Sequence, residues 1–536
     1  MIKSKIYFRL EKINEEEKTI DVNLKINNIE YTQKIKLYKG NIKLLNIKSL
    51  ENIREENNDI IINCTNKNID ITYTVQIASL GKHGQNGEIN NDLITFTGSQ
   101  ILLMPTHVLN ANDIELEKSL SEINISYPNE LNNKYSAIPY KQVINNSTVS
   151  NIKKIKWHDI YELMKSCYAF FEFENIKIEE NKNILIEKNQ GKITNEVVEG
   201  ISSLCNYYEK LFDYKINNLQ IILLSKNREN NEYILGGAGR NIIGATFDIN
   251  NIRDWQLLSH RLFHAYMDSA VTIRQMHTAP QLWITEGLAT YHENLALESL
   301  NKKLKEKLGV DFNKEMCKIY RRYLYIRIKD SNRLAISPIE EGKIYSHGKM
   351  EFLHYTQSPL IIKMIEDFNA GVNDKNSIIK YLKNVNECSF NLKSMFDYAL
   401  KNYCDEFAYK YIFNSSLIPL WNLSICNIEE EVIKELNEYE ELLWSWFIIE
   451  DNYYTKEIIK YENVDKLVAK ANMGNLKFED TRVENKIKEF NNTLYNLLKV
   501  YILRAKVCKV SLNDKNIRYK LYENINNKNI WISYIK

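Results

Sequence analysis

The sequence predicts an α+β multidomain protein: an N-terminal β-sandwich, a central α/β domain and a helical C-terminal part. Three observations predict it. Apolar and polar residues alternate with period 2 through the first ~150 residues, the pattern of half-buried strands. Between residues 151 and 300, short apolar runs interleave with apolar stripes at helical spacing, and from 301 to about 420 the helical spacing takes over. At 536 residues the chain is also longer than one hydrophobic core supports, about 250–300 residues. The expected divisions are 1–150, 151–300, 301–420 and a region of unclear type at 421–536.

In chain order, the strands are expected at 5–11, 19–26, 29–37, 59–64, 69–77 and 93–103, separated by Asn, Gly and Lys turns and paired as an antiparallel sandwich. A loop rich in Asn, Ser and Pro at 126–150 ends this part. The stretch 157–171 reads as a helix, 184–187 as a short strand, and 193–212 as a helix with the stripe Val197, Ile201, Leu204, Tyr208 and Leu211. A buried strand follows at 219–224. The turn Gly236-Gly237-Ala238-Gly239 opens another strand at 241–247, and helices follow at 253–269 and 282–297. Further helices are expected at 302–308, 314–328, 358–368, 377–382 and 394–403. Beyond 420, helices at 429–449 and 485–507 and paired strands at 508–536 complete the reading.

With 44% hydrophobic and 26% charged residues, the composition is that of an ordinary globular protein. A formal net charge of +2 argues against nucleic acid or an acidic membrane as partner. No apolar run of about 18 residues occurs, so no membrane span is expected, and the N-terminus lacks the apolar core of a secretory signal. The eight cysteines are scattered with no Cys-x-x-Cys pair, which argues against a thiolate metal site and for reduced thiols in a cytoplasmic protein.

The most informative stretch is His260-Arg261-Leu262-Phe263-His264. Histidines at i and i+4 project from one face of a helix and can reach one metal ion. In the hydrolytic version of this frame, H-E-x-x-H, the glutamate takes a proton from metal-bound water. Arg261 cannot, because a guanidinium stays protonated. A tetrahedral site needs a third ligand, and Glu286, early on the next helix, is the candidate. Glu293, seven residues on, shares its face and is placed to accept the second N–H of a ligating imidazole. His277 and His292 read as loop and surface residues. The Gly-rich turn is not a phosphate loop, since no Gly-Lys-Ser/Thr follows.

Together these residues resemble the gluzincin metallopeptidases, in particular the glycyl aminopeptidase-like and leukotriene hydrolase-like branches. Trp283, Glu286, Gly287, Tyr291 and Glu293 match every fixed position of that family's second helix, W-x-x-E-G-x-x-x-Y-x-E. The segment 236–247 resembles the family's substrate-edge turn and strand, and Tyr345-Ser346-His347-Gly348 its Y-x-x-G element. The resemblance covers about residues 1–420. It implies a thermolysin-like α/β catalytic-type domain and zinc held by His260, His264 and Glu286, with Glu293 behind the ligands. It further implies that Tyr345 donates to a developing oxyanion and that Gly236, Gly237, Ala238, Gly239 and Arg240 wall the substrate site.

Arg261 is the departure from the pattern. Removing a general base costs ~10²–10⁴-fold in rate. A guanidinium also suits a carboxylate or phosphate, so the pocket is open to an anionic group on a peptide end or small molecule. Alternatively Arg261 has drifted, turned outward or paired with Glu293 or Asp268. Three functions follow: a zinc-dependent aminopeptidase-type hydrolase with an altered base (His347, Glu293 or the substrate), a non-catalytic gluzincin-fold binding protein, and an enzyme repurposed to an acyl or amide bond in biosynthesis. The ligand is a peptide or a small acyl or amide compound, or, for the non-catalytic protein, a peptide, metabolite or partner. Arg240 stands in a segment without carboxylates, which favours an anionic ligand over a free amine.

Overall fold

The computed structural model describes residues 3–418 except 30–33, 41, 50, 57–58, 65, 78–86, 188–192, 225–236, 330–335, 345–346, 371–375, 401–408 and 414–417. The elements expected beyond 420 lie outside the described residues. The chain divides into two compact units, Met1–Cys205 with Tyr214–Ser269, and Asn206–Asp213 with Ala270–Lys536.

The first unit is built on sheets. The strands Ser4–Asn14, Thr19–Asn27 and Ile69–Gln76 sit side by side in a seven-stranded sheet. Their alternation turns Phe8, Leu24 and Ile71, which are cross-strand partners, to the same buried face. Ile35, Leu37, Ile60 and Ile62, from a second sheet formed by Lys34–Tyr38 and Asp59–Asn63 with two flanking strands, belong to the same apolar cluster. The pairing is not wholly antiparallel, because Ser4–Asn14 runs parallel to Leu120–Ser126.

Three local expectations are corrected. The run 93–103 is a strand only over Leu93–Thr97, after which Thr97 starts the helix Gly98–Ile101. The supposed loop 126–150 contains the hairpin Lys141–Ile144 and Ser147–Lys153. Its two turn residues, Asn145 and Asn146, have φ of 50° and 62°, the left-handed pair that matches strand twist. The helix expected over 157–171 ends at Lys165, and Cys167–Phe171 is a strand buried at every position. A wholly apolar run has no period to read, so pattern alone could not separate helix from strand there.

The last sheet of this unit orders Phe173–Glu179, Lys182–Glu187, Leu219–Leu224 and Ile242–Thr246. The last three strands are parallel and nearly continuously apolar, as sheets covered on both faces are. Leu185, Ile222, Leu224 and Ile242 pack with Leu93, Ala169 and Phe171 of the neighbouring sheet. The helix Ile252–Ala270 follows the edge strand.

The second unit is helical in its described residues, with Leu282–Leu297, Lys302–Leu308, Phe312–Lys329, Ser358–Ala370, Ser377–Asn384 and Leu392–Leu400 as its main elements. Asn301 caps the second of these by accepting from Leu304 N at 2.9 Å, and Gly309 ends it at φ 67°. Trp283 is fully buried and stacks on Phe396, rings 6.3 Å apart. Gly287 lets Leu282–Leu297 lie directly on Ser358–Ala370, since a Cβ there would meet the Ser358 Cβ at 2.7 Å. No described helix is long and apolar enough to cross a membrane.

Candidate metal centre

The helix Ile252–Ala270 is anchored at its start by side chains that satisfy free amides. Asn251 Oδ1 accepts from Arg253 N at 2.9 Å, and Asp254 Oδ2 accepts from Asp248 N at 2.8 Å. Trp255, Leu258, Leu262 and Tyr266 bury one stripe of it. His260 and His264 project from a less buried flank, their Nε2 atoms 3.1 Å apart. Glu286 lies in the first turns of Leu282–Leu297 and is likewise half-buried.

His260, His264 and Glu286 each offer one ligand atom, and these atoms all lie within 4.8 Å of one another. This set fits zinc. Two Zn–N bonds of about 2.0–2.1 Å at a tetrahedral angle hold their nitrogens roughly 3.3 Å apart, close to the observed 3.1 Å. Two imidazoles and one carboxylate also make the donor set of an open zinc site, with a fourth position left for solvent or substrate.

Of the other predicted residues, Glu293 is buried at 4% exposure in the same helix as Glu286. Tyr345 and Gly236 lie outside the described residues. Gly237, Ala238 and Gly239 form a turn folded back on the edge strand, with Ala238 bridging Ile243. Arg240 is tied into the protein. Its backbone N donates to Glu162 Oε2 at 2.5 Å, and its Nη2 donates to Ser269 O at 3.5 Å. Arg261 Nη1 donates to Gly244 O at 2.7 Å, so its guanidinium reaches the edge strand.

Two histidines depart from expectation. His277 is 7% exposed and His292 fully buried. Burial pushes the His292 imidazole down to about 3, so it is neutral, and it shares a 2.8 Å hydrogen bond between Nδ1 and the Tyr207 hydroxyl.

Several buried or shifted titratable groups near these elements escaped the sequence reading. Glu162 is buried, and burial pushes its carboxyl up to about 7 against the pull of Arg240 and the Ser166 hydroxyl. His354 and Glu341 form a buried hydrogen-bonded pair. Burial alone would lower His354, but Glu341, Glu286 and Glu351 outweigh it and raise it above the ordinary imidazole value. The neighbouring Tyr355 hydrogen-bonds Glu286. Loss of solvent around its hydroxyl, then Glu286 and Glu351, raises the phenol well above its usual range. Both residues ride on the π-helical turn Leu353–Gln357, a feature that often marks functional sites. Only the i, i+4 spacing of Glu162 and Ser166 gave any sequence signal.

No family model matches the chain, and no curated protein matches it by sequence. Solved structures do. An aminopeptidase N family protein from Idiomarina loihiensis aligns over 81% of this chain and 78% of its own, with a TM-score of 0.54 and 11% identity. An M1 zinc metallopeptidase from Deinococcus radiodurans aligns over 78% of this chain and 94% of its own, with a TM-score of 0.43 and 12% identity. At such identities the likeness is one of architecture: this mixed α/β chain shares the fold of an aminopeptidase N family protein.

Proposed function

We propose that this chain holds zinc in an aminopeptidase-type metallopeptidase site whose peptide hydrolysis is lost or altered, because Arg261 replaces the general base. The convergence of His260, His264 and Glu286 within 4.8 Å carries this reading, and the aminopeptidase fold supports it. In this reading zinc supplies Lewis-acid polarisation of a carbonyl. Glu293 orients a ligating imidazole, Tyr345 donates to the oxyanion, and residues 236–240 wall the site. The ligand is a peptide or a small acyl or amide compound, in the cytoplasm.

A non-catalytic binding role is the second reading, favoured by the commitment of the Arg261 guanidinium to the Gly244 carbonyl. One comparison tests both. Bound zinc and alanine p-nitroanilide hydrolysis are measured for the native protein and Arg261→Glu. Stoichiometric zinc is expected in both, with little native turnover and a gain of ~10²–10⁴-fold in the variant. Metal-free native protein would refute the zinc site, and fast native turnover would refute the role given to Arg261. Zinc-loaded Arg261→Glu with no turnover would favour the binding protein.

A further inference from the structure

We infer that Tyr355 is a positioning residue of the metal centre: its phenol holds the Glu286 carboxylate so that a single oxygen turns to the metal. This rests on the metal-site reading above and adds to it the group that sets the carboxylate.

Tyr355 lies where the backbone departs from the α-helix. The π-helical turn Leu353–Gln357 runs between the helices His347–Phe352 and Ser358–Ala370, and Ser358 N closes it by donating to Leu353 O. Such a turn takes one residue more than an α-turn, so the residues after it are shifted by one position, roughly 100° about the axis. Three contacts fix it. Gln357 Nε2 donates to Ile336 O at 3.0 Å. His354 Nε2 is hydrogen-bonded to the buried Glu341. Gly287 lies directly against Ser358, where a Cβ would come within 2.7 Å of Ser358 Cβ and 3.2 Å of Ser358 O.

Gly287 is the residue after Glu286. The close approach that seats the turn on Leu282–Leu297 therefore also sets Glu286 beside it, and the Tyr355 phenol donates to the Glu286 carboxylate. Tyr355 differs from its neighbours in the turn. Leu353, His354, Thr356 and Gln357 are at most 5% exposed, whereas Tyr355 is 37% exposed. Its ring adds less to the core than theirs, and its hydroxyl is spent on a carboxylate that the metal reading needs. A carboxylate can grip a metal with one oxygen or with both. A phenol bonded to it takes up part of its acceptor capacity and restrains its rotation, as partners behind metal ligands do. With two imidazoles and one Glu286 oxygen, three positions of a tetrahedral site are filled and the fourth stays open. A second oxygen from Glu286 would crowd that position.

The experiment measures zinc and cobalt(II) binding to the full chain, native and Tyr355→Phe, each alone and combined with Glu286→Ala. Cobalt(II) takes the same kind of nitrogen and oxygen site. Its visible absorption is strong when four-coordinate and weakens when a further bond is added. Native protein is expected to bind zinc stoichiometrically and to give the strong cobalt spectrum. Tyr355→Phe, which keeps the ring, is expected to bind zinc roughly 10–100-fold more weakly and to give a weaker cobalt spectrum. In the Glu286→Ala background the same substitution should change zinc affinity by less than about twofold, because Tyr355 acts through that carboxylate. Zinc affinity of Tyr355→Phe within about threefold of native would overturn the inference. So would a loss of affinity that leaves the cobalt spectrum unchanged, or one that recurs in full without Glu286. These results overturn the role of Tyr355 alone, whereas native protein that takes up neither ion would overturn the metal-site reading with it.

Discussion

Glu162 should make the protein less stable as pH rises from about 4.5 to about 7, and Glu162→Gln should remove that dependence. The carboxyl is buried between the Arg240 amide and the Ser166 hydroxyl and is pushed up to about 7 by burial. Moving it from its ordinary value of 4.5 corresponds to roughly 3 kcal/mol of preference for the neutral form. The folded state then holds a proton that the unfolded state has released, so stability falls as pH increases. The contribution is complete below about 4.5 and gone above about 7. Glutamine reproduces the neutral form: its oxygen can accept from Arg240 N while its amide donates to Ser166 Oγ. Thermal melting of both proteins at pH 5, 6, 7 and 8 reads the effect. The variant should gain on the native protein as pH rises, by up to about 3 kcal/mol, or roughly 6–12 °C at 2–4 °C per kcal/mol. This is an upper figure, since an ionising carboxylate draws solvent inward. A melting difference that stays constant across this range would refute the argument.

Gly287→Val should cost about 1–3 kcal/mol by overpacking against Ser358. In denaturant titration, pairing Gly287→Ala with Ser358→Gly should recover most of the smaller alanine penalty. Glu341→Ala leaves the His354 imidazole without its buried partner and should cost about 3–5 kcal/mol, again read by denaturant titration. A loss below 1 kcal/mol would mean the pair is not buried in solution.

Much of the candidate site was legible because it rests on helical spacing. His260 and His264 are one turn apart, Glu286 and Glu293 two turns apart, and a helix places such residues on one face whatever surrounds it. The alternation through Phe8, Leu24 and Ile71 was legible for the same reason in strands. The run Cys167–Phe171 was not, since every residue is buried and no period survives. His292 was misread because a helix in a helical core is buried all round, so a polar residue need not mark its solvent side.

By itself the sequence pointed to a mixed α/β chain and nominated His260, His264 and Glu286 as one cluster, because local periodicity and residue chemistry carry both readings. The tertiary structure decided the partners of the charged groups. Arg261 had a carboxylate, a metal-bound ligand or solvent open to it in sequence terms, and the structure gives it the Gly244 carbonyl. Arg240 was placed in the same way beside Glu162. Such partners come from strands and helices distant in the chain. Only the packed fold settles which buried donor meets which acceptor, because each must be satisfied where the packing leaves it.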